Sequence, residues 1–320
     1  MRRSIITGIG GQDGAYLSRL LLERGHEVLG VTRPGQSDKL PGLVQVGVSN
    51  DVRLVQCDLC SYETVAELIA TFRPDEVYNL AAQSSVSRSF LLPGETISFN
   101  TLSVLTLVRV IHESAPHVRM YQASSSDMFG KVPQLPIKED MAFHPLSPYA
   151  VSKASAHWIA KNYRESFNLF IACGILFNHE SPLRTRNFFV KKLICEALEI
   201  KQGKRETIRI GNLALKRDFG YAPRYVEAMY RMLQHDSPGD YLICSGRSVL
   251  LADIANHICD RIGISRDRLV TDPALFRPLD IPDIYGCNQR ARQALNWEYS
   301  LDFMDVLDIL IEAEQQHINL

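Results

Sequence analysis

The stretch Thr7–Gly14, TGIGGQDG, largely determines the fold that this sequence predicts. It joins a short apolar run, SIITG, to DGAYLSRLLLERG, in which apolar residues recur at helical spacing. Its GxxGxxG pattern permits a tight turn and a close approach of the backbone to a pyrophosphate, whose charge a helix N-terminus favours. This position predicts a dinucleotide-binding loop, and a plain tight turn is the alternative. The candidate cofactor contacts here are Gly8, Gly11, Gln12, Asp13 and Gly14.

Strands and helices alternate through the first half of the chain. Runs typical of buried strands are HEVLGV, VRLVQCDL, EVYNLAA, VRMYQAS and LFIACGILF, and SYETVAELIATF and SPYAVSKASAHWIAKNYRESF have helical spacing. Strands without a period of two indicate a parallel sheet covered on both faces. Since crossovers are right-handed, we expect an α/β fold with a Rossmann-like, doubly wound sheet.

A second lobe is expected after Asn178, where the sequence becomes rich in arginine and proline, as in NHESPLRTRN and DPALFRPLDIPDIYG. We predict a nucleotide-binding domain over residues 1–178 and a smaller mixed α/β substrate lobe over 179–320. A segment near 218–245 is expected to return to the first domain. The stretch SLDFMDVLDILIEAEQQ predicts an amphipathic terminal helix.

Composition excludes several classes of function. The 320 residues include 35 Lys and Arg against 36 Asp and Glu, so nothing indicates a nucleic-acid or membrane surface. Seven scattered cysteines predict reduced thiols and a cytoplasmic location. Cys57 and Cys60 form a CxxC without a second ligand pair, so no metal site is predicted. The apolar run at the N-terminus breaks too early for a signal peptide.

The end of the second predicted strand bears on the choice of cofactor. NAD sites usually offer an acid there, whereas this chain has Thr32 and Arg33 in GVTRPG. An arginine suits a 2′-phosphate, so NADP is predicted; a surface arginine beside Pro34 is the alternative. The further candidate cofactor contacts are Asp58, at the end of the third strand, Leu59 and Ala81.

SPYAVSK places Tyr149 and Lys153 four residues apart on one helical face. A lysine cation beside a tyrosine lowers the pKa of the phenol, and the tyrosine can then act as a general acid/base near neutral pH. Lys153 can also bind the nicotinamide ribose. YxxxK is common by chance, but here it follows a glycine loop and several strand–helix units.

These motifs resemble those of the extended short-chain dehydrogenase/reductases. Within that superfamily the chain resembles the GDP-mannose 4,6-dehydratase family, on GQDGAYL, VYNLAAQS, YQASSSDMFG, SPYAVSK, GILFNHESP and GNLALKRDFG. The resemblance implies that Ser125 binds the carbon-4 oxygen of a hexose and that Tyr149 takes its proton as hydride passes to NADP. Asp127 would then remove the carbon-5 proton, water would leave from carbon 6, and hydride would return there. The product from GDP-mannose is GDP-4-keto-6-deoxymannose.

Three positions depart from the family pattern. Asp127 stands where the family has Glu, one methylene longer; Gly10 replaces a Thr; and the loop after Arg33 is short. That loop helps to build tetramers in relatives, so a homodimer is the simpler expectation, with a tetramer as the alternative. Because Asp127 is shorter than Glu, the protein could also be a slower dehydratase, a dehydratase for another sugar, a GDP-sugar 4-reductase or an epimerase. Asp127 itself could be a plain turn cap. A non-catalytic NADP-binding sensor is a further alternative, which the intact catalytic residues oppose.

A nucleoside diphosphate needs placed cations and polar groups around it. By the resemblance, the candidate substrate contacts are Gln83, Ser85, Asn178, Lys192, Arg217 and Arg277. Each single cation could equally be a solvated surface charge. His179 and Glu180 are weaker candidates for reaching the sugar, and Asn100 resembles an asparagine that braces the superfamily's active site.

Overall fold

The computed structural model describes residues 1–36, 39–276 and 279–318. The strands are β1 (Arg3–Thr7), β2 (Glu27–Thr32), β3 (Arg53–Gln56), β4 (Glu76–Asn79), β5 (Arg119–Ser125), β6 (Ile171–Leu176), β7 (Asn178–Glu180), β8 (Ile208–Ile210), β9 (Lys216–Tyr221), β10 (Asp240–Ile243), β11 (Ser248–Leu250), β12 (Leu269–Thr271) and β13 (Asp283–Ile284). The helices are α1 (Gln12–Glu23), α2 (Pro41–Gln45), α3 (Tyr62–Phe72), α4 (Val86–Leu91), α5 (Pro93–Ser114), α6 (Pro148–Phe167), α7 (Phe189–Lys201), α8 (Ala222–Gln234), α9 (Leu251–Ile262), α10 (Gln289–Leu295) and α11 (Phe303–Ile318). None of these helices is long and apolar enough to cross a membrane.

Seven parallel strands form the main sheet, in the order β3-β2-β1-β4-β5-β6-β10. The predicted doubly wound α/β fold is therefore confirmed. The strand order reverses between β1 and β4, and ligands of such sheets bind beyond the carboxyl ends of the strands at that point. β10 comes from the second half of the chain and pairs with β6 at the edge.

Both faces of the sheet are buried, as a parallel sheet requires. Successive residues of β1 serve opposite faces: Ile6 belongs to the core that contains Leu21 of α1, and Ile5 to the core that contains Leu107 of α5. This double burial explains why the strands read as continuous apolar runs.

Helix α5, 22 residues long, has no counterpart among the predicted elements. It packs along α6 and buries Val104, Leu107 and Ile111, but Ile97 and Leu102 remain 38% and 46% exposed. Apolar residues on both faces blur the helical period, and for that reason the sequence pattern missed it.

The second lobe is built on smaller sheets. β9 pairs with β7 and β13 in parallel and with β11 in antiparallel, while β8 pairs with β12. Helices α7, α9 and α11 enclose its own core, so the terminal helix and the mixed α/β lobe are confirmed. Asp218 of β9 is fully buried and accepts hydrogen bonds from the amide and hydroxyl of Ser245, at 2.8 and 2.7 Å, and from the Gly246 amide, at 3.1 Å.

Candidate active site

A cavity of about 1020 Å³ lies between the carboxyl ends of the main sheet and the second lobe. Every predicted site residue that the structure describes lines it. The cofactor candidates on its wall are Gly8, Gly11, Gln12, Asp13, Gly14, Arg33, Asp58, Leu59 and Ala81; the catalytic candidates are Ser125, Asp127, Tyr149 and Lys153; the substrate candidates are Gln83, Ser85, Asn178, Lys192 and Arg217. Arg277 lies outside the described residues.

The glycine loop has room for a bound group at one glycine in particular. Gly8 has φ +69°, and a Cβ there would lie 2.9 Å from the Ala81 backbone; a Cβ on Gly14 would lie 2.6 Å from Cα of Ile9. Packing alone therefore requires these two glycines. A Cβ on Gly11 would meet nothing closer than the Gly8 carbonyl, at 3.4 Å, yet Gly11 caps α1 and faces the cavity. A pyrophosphate close to the loop accounts for this glycine, so the loop fits a dinucleotide.

A buried ladder of polar side chains fixes the strand ends beneath the cavity. The Thr7 hydroxyl donates to Oδ1 of Asn79, at 2.6 Å, and Nδ2 of Asn79 donates to Oε1 of Gln122, at 2.8 Å. The Thr7 oxygen also accepts from the amides of Leu80 and Ala81. These residues hold β1, β4 and β5 in register at the site. The sequence predicted none of them, since nothing in a strand pattern distinguishes a satisfied polar residue from an apolar one.

The end of β5 carries Ser125 and Asp127 on a tight turn. The Ser125 hydroxyl accepts from the Asp127 amide, at 3.3 Å, so it is Ser125 that caps this turn over Ser126–Met128. The Asp127 carboxylate is close enough to Tyr149 to raise the pKa of the phenol. This effect on the phenol favours a role in proton transfer over the alternative of a turn cap.

Tyr149 and Lys153 lie on one face of α6, as their spacing predicts. Ser147 caps this helix by accepting from the Ala150 amide, at 3.1 Å. Nζ of Lys153 donates to the carbonyl of Ala123, at 2.8 Å, and the predicted effect of its charge on Tyr149 stays a prediction.

Burial, followed by the Asp127 carboxylate, raises the pKa of Tyr149, while Ser125 and Arg184 lower it. Burial also lowers the pKa of Lys153 to about 8. Desolvation thus acts on both groups, and the cation that acts on the phenol is Arg184.

Asn100 braces the loop after β4, as the resemblance implies. Its Oδ1 accepts from the Gln83 amide, at 2.8 Å, and its Nδ2 donates to the Gln83 carbonyl and to the Ser152 hydroxyl, at 3.1 and 2.9 Å. The Gln83 side chain bridges to Ser85 and Thr96. Ser85 caps α4 through the Arg88 amide, at 3.2 Å. Gln83 and Ser85 therefore sit on the cavity wall in a loop that their own side chains stabilise.

Gln12 and Asp13 bind the second lobe directly. Nε2 of Gln12 donates to the His179 carbonyl, at 2.9 Å, and its Oε1 accepts from the Ser181 hydroxyl, at 2.8 Å. The Asp13 carboxylate lies 2.9 Å from Nε2 of His179. His179 therefore joins β7 to the glycine loop through Nε2, on the wall of the cavity.

The predicted cations of the second lobe have backbone partners. Nζ of Lys192 donates to the carbonyl of Arg209, at 3.1 Å, and Nη1 of Arg217 to that of Ile281, at 2.7 Å. Nδ2 of Asn178 donates to the Asp218 carbonyl, at 3.3 Å. These bonds place all three groups at the end of the cavity that β7, β9 and α7 form.

Arg184 and Glu180 are charged residues of the cavity wall whose electrostatic effects the sequence pattern did not indicate. Glu180 is only 3% exposed, and burial raises its pKa although Arg184 and His179 oppose the rise. Arg184 was not predicted at all. The sequence signal that could have found it is its place in NHESPLR, four residues after Glu180.

One group of potential metal ligands lies close together among the described residues: His157, Cys173 and Asp240. The Arg164 guanidinium binds both oxygens of Asp240, at 2.7 and 3.0 Å, which already satisfies that carboxylate. The cluster lies outside the cavity and is explained as an ion pair at the sheet edge.

Comparison with known proteins identifies the family of this chain. The family model for GDP-mannose 4,6 dehydratase matches residues 5–310. The chain is 36% identical to GDP-mannose 4,6 dehydratase 2 of Caenorhabditis elegans over 337 residues, which cover 97% of this chain and 88% of that protein. This chain belongs to the GDP-mannose 4,6-dehydratase family. The prediction of an enzyme of the hydro-lyase class, a nucleotide-sugar 4,6-dehydratase, is thereby confirmed.

Solved structures share the fold of this family member. DesIV, a dTDP-glucose 4,6-dehydratase from Streptomyces venezuelae with NAD and TYD bound, superposes with a TM-score of 0.89 at 18% identity, covering 99% of this chain and 98% of that one. RMD from Pseudomonas aeruginosa, complexed with NADPH, superposes with a TM-score of 0.82 at 22% identity, covering 99% of this chain and 100% of that one. At these identities the likeness establishes the fold of this chain.

Proposed function

We propose that this chain is an NADP-dependent GDP-mannose 4,6-dehydratase that forms GDP-4-keto-6-deoxymannose. One observation carries the proposal: Ser125, Asp127, Tyr149 and Lys153 meet on the wall of the same cavity as the glycine loop. Family membership supports GDP-mannose as the substrate.

The chain's own residues move the protons of this reaction. The glycine loop and Lys153 would hold a nicotinamide cofactor, which would supply the hydride acceptor for carbon 4 and the hydride donor for carbon 6. The Tyr149 oxygen takes the proton of the carbon-4 hydroxyl, which the Ser125 hydroxyl orients. The resulting ketone acidifies carbon 5, and Asp127 removes that proton and passes it to the carbon-6 hydroxyl, which leaves as water. Carbon 5 then takes up a proton from solvent as hydride returns to carbon 6. The buried position of Tyr149, only 7% exposed, limits the access of bulk water to the phenol.

We assign the carbon-5 base to Asp127 despite its short side chain. Reach matters first for a general base, and a displacement of about 1 Å can cost on the order of a hundredfold in rate. The effect of its carboxylate on Tyr149 supports a position within the reaction centre.

The cofactor assignment rests on the residues that would hold each part of the dinucleotide. The glycine loop would hold the pyrophosphate, Lys153 the nicotinamide ribose, and Asp58, Leu59 and Ala81 the adenine side. Arg33 is exposed on the cavity wall just beyond β2, where no acid is present, and it would bind a 2′-phosphate. Among the structural neighbours, RMD is complexed with NADPH and DesIV with NAD.

Arg33→Ala is expected to weaken NADP binding about tenfold or more and to leave NAD binding unchanged, as measured by calorimetry.

The diphosphate of the sugar nucleotide would lie at the other end of the cavity. Asn178, Lys192 and Arg217 present donors there, and Arg277 remains a prediction outside the described residues. Gln83 and Ser85 would face the hexose. Arginine and lysine at this end suit a diphosphate because its charge needs donors that are already in place.

A second candidate, a GDP-sugar 4-reductase or epimerase, is favoured only by the shorter carboxylate of Asp127. One incubation separates the candidates: purified protein, NADP⁺ and GDP-mannose in deuterated water, followed by mass spectrometry and NMR. A dehydratase gives a sugar that has lost one water and carries one solvent deuterium at carbon 5, without net use of NADPH. Net oxidation of added NADPH, with no loss of water, would instead identify a reductase, and an unchanged sugar across a panel of GDP-sugars would indicate a sensor.

Two substitutions test the assigned groups. Tyr149→Phe and Asp127→Asn are each expected to lower kcat by about 10²–10⁴-fold, because each removes one proton-transfer group from a folded protein. Asp127→Glu keeps the charge and lengthens the reach; we expect it to lower kcat too, since the extra methylene displaces the carboxylate by about 1 Å. A gain in kcat with Glu would show that reach limits this enzyme. Unaltered circular dichroism serves as the control for folding.

We further propose that the chain forms a homodimer and that it is located in a reducing compartment, the cytoplasm. The outer faces of α5 and α6 expose large apolar side chains: Leu102, Val151, Trp158 and Phe167 are 42–55% exposed. Such a patch favours burial against a second copy. All seven cysteines are free thiols, which supports the location. Trp158→Glu is expected to convert the dimer to a monomer in analytical ultracentrifugation.

A further inference from the structure

The short turn after β2 brings two hydrogen-bond donors, Arg33 and Gln36, to the cavity. The Gln36 amide donates to the Arg33 carbonyl, at 3.1 Å, and Gly35 between them has φ +76°. The turn therefore closes on itself within four residues, and the two side chains start from one hydrogen-bonded unit. Both residues line the cavity that also contains the glycine loop.

Gln56, the last residue of β3, holds this turn in place. Its Oε1 accepts from the Gly35 amide, at 2.9 Å, and its Nε2 donates to the Gln36 carbonyl, at 3.1 Å. Gln56 is itself fixed beside Thr32 by the parallel pairing of β3 with β2. Because one side chain binds two backbone groups of the turn, the turn has less freedom to lose when its own side chains bind a ligand.

The side chain of Gln36 reaches back across the glycine loop. A Cβ on Gly10 would lie 3.2 Å from Nε2 of Gln36 and 3.3 Å from the side chain of Leu40. A larger residue at position 10 would press against both groups, and Leu40, only 6% exposed, has little room to move. Two departures from the family pattern, Gly10 and the short loop after Arg33, are thus coupled, because the glycine leaves the space beside which the carboxamide lies.

The polar groups at this corner of the cavity suit a phosphate. Nε2 of Gln36 donates to no acceptor in the part of the chain that the structure describes, so its hydrogens can serve a ligand. Arg33 adds a positive charge on the same turn, and a carboxamide, unlike the acid of an NAD site, does not repel an anion. A cation and a neutral donor together therefore fit the 2′-phosphate that distinguishes NADP from NAD.

We propose that Gln36 binds the 2′-phosphate of NADP beside Arg33, and that Gln56 is a positioning residue for both. The inference rests on the proposed function, in which Arg33 binds this phosphate. Since both donors belong to one turn that Gln56 tethers, the turn discriminates between NADP and NAD as a unit.

Calorimetric titration of the purified protein with NADP⁺ and with NAD⁺ tests the role of Gln36 without turnover. Gln36→Met keeps the length of the side chain and removes its polar groups. It should weaken NADP⁺ binding about tenfold and leave NAD⁺ binding within about twofold of the wild-type value. Gln36→Glu places an anion beside the phosphate and should weaken NADP⁺ binding further.

The positioning role of Gln56 is tested through its coupling to Arg33. Gln56→Met should weaken NADP⁺ binding about threefold, since the turn loses its tether but keeps both donors. In that background Arg33→Ala should have a smaller effect than in the wild-type protein, because a loosened turn no longer holds the guanidinium in place. Gln202→Met, at an exposed glutamine that ends α7 away from the cavity wall, is the matched control and should change neither affinity.

Several results would contradict these assignments. The proposal is overturned if Gln36→Met matches Gln202→Met, or if it weakens the binding of both cofactors equally, which would place the carboxamide on a part that they share. Additive effects of Gln56→Met and Arg33→Ala would overturn the positioning role. A wild-type protein that binds NAD⁺ as tightly as NADP⁺ would instead refute the cofactor assignment of the proposed function, so the two failures are distinct.

Discussion

Two buried contacts of this molecule pair a histidine with an aspartate, and the pKa values of the two histidines shift in opposite directions. At the joint between the lobes, Nε2 of His179 lies 2.9 Å from Asp13; at the edge of the main sheet, Nε2 of His157 lies 3.9 Å from Asp240. Although burial lowers the pKa of His179, Asp13 outweighs it and the pKa is raised. The pKa of His157 is instead lowered to about 4, by burial first.

The difference lies in what else holds each carboxylate. Arg164 binds Asp240 through two hydrogen bonds, which neutralises it and leaves little charge for His157. No lysine or arginine of the described chain forms an ion pair with Asp13. Nδ1 of His179 donates to the Phe177 carbonyl, at 2.7 Å, so Nε2 can donate to Asp13 only in the imidazolium form. Burial lowers the pKa of both rings, and His179 differs in having a carboxylate at 2.9 Å that no guanidinium shares in the described chain.

Removing that guanidinium should produce the largest effect. Arg164→Met leaves a buried carboxylate unpaired and is expected to lower the free energy of unfolding by about 3 kcal/mol in urea denaturation. The pKa of His157 should rise at the same time, because Asp240 then acts on it alone; NMR titration of the ring, assigned with His157→Gln, measures this. Arg109→Met, at an exposed pair with Glu113, is the control and should cause no measurable loss. An unmoved His157 pKa would contradict the comparison.

The joint between the lobes should show a smaller, pH-dependent effect. Because the folded-state pKa of His179 is raised, its pair with Asp13 adds stability that is complete below about pH 6.5 and is lost as pH rises through the folded-state value. His179→Gln is expected to lower the free energy of unfolding by about 2 kcal/mol at pH 6 and by clearly less at pH 9. A difference that stays constant with pH would mean that the ring acts by packing alone.

The smallest effect is expected at His157, with the opposite sign of pH dependence. Its folded-state pKa is depressed, so the neutral ring favours the folded state above pH 6.5, and this contribution is lost as pH falls towards 4. Relative to His157→Gln, the wild-type protein should lose about 1 kcal/mol in the free energy of unfolding between pH 7 and pH 5.5. A relative gain over that interval would place the imidazolium in the folded state.

Much of the fold and of the cavity wall could be predicted from sequence. Continuous apolar strands and the glycine loop before α1 are local signals, and each has its expected place. Helix α5 escaped because Ile97 and Leu102 put apolar residues on its outer face. The cavity residues came together because the carboxyl ends of parallel strands meet at one edge.

The electrostatics of the site were less predictable. Spacing on α6 placed Lys153 beside Tyr149 correctly, but the ammonium turns to the Ala123 carbonyl. His179, weakly assigned to the sugar, bonds to Asp13, 166 positions away, and Arg184 acts on a tyrosine from another element. Such partners are distant in sequence, and no local pattern records them.

The sequence alone predicted the architecture, which is a doubly wound sheet with a glycine loop at its first turn. It also predicted the reactive groups: a serine, an acid, a tyrosine and a lysine at strand and helix ends. The reason is that backbone periodicity and turn geometry are short-range effects. The directions in which the pKa values of His179, His157 and Tyr149 shift were set by folding in three dimensions. They depend on desolvation and on Coulomb interactions between remote segments, which exist only once the lobes have packed together.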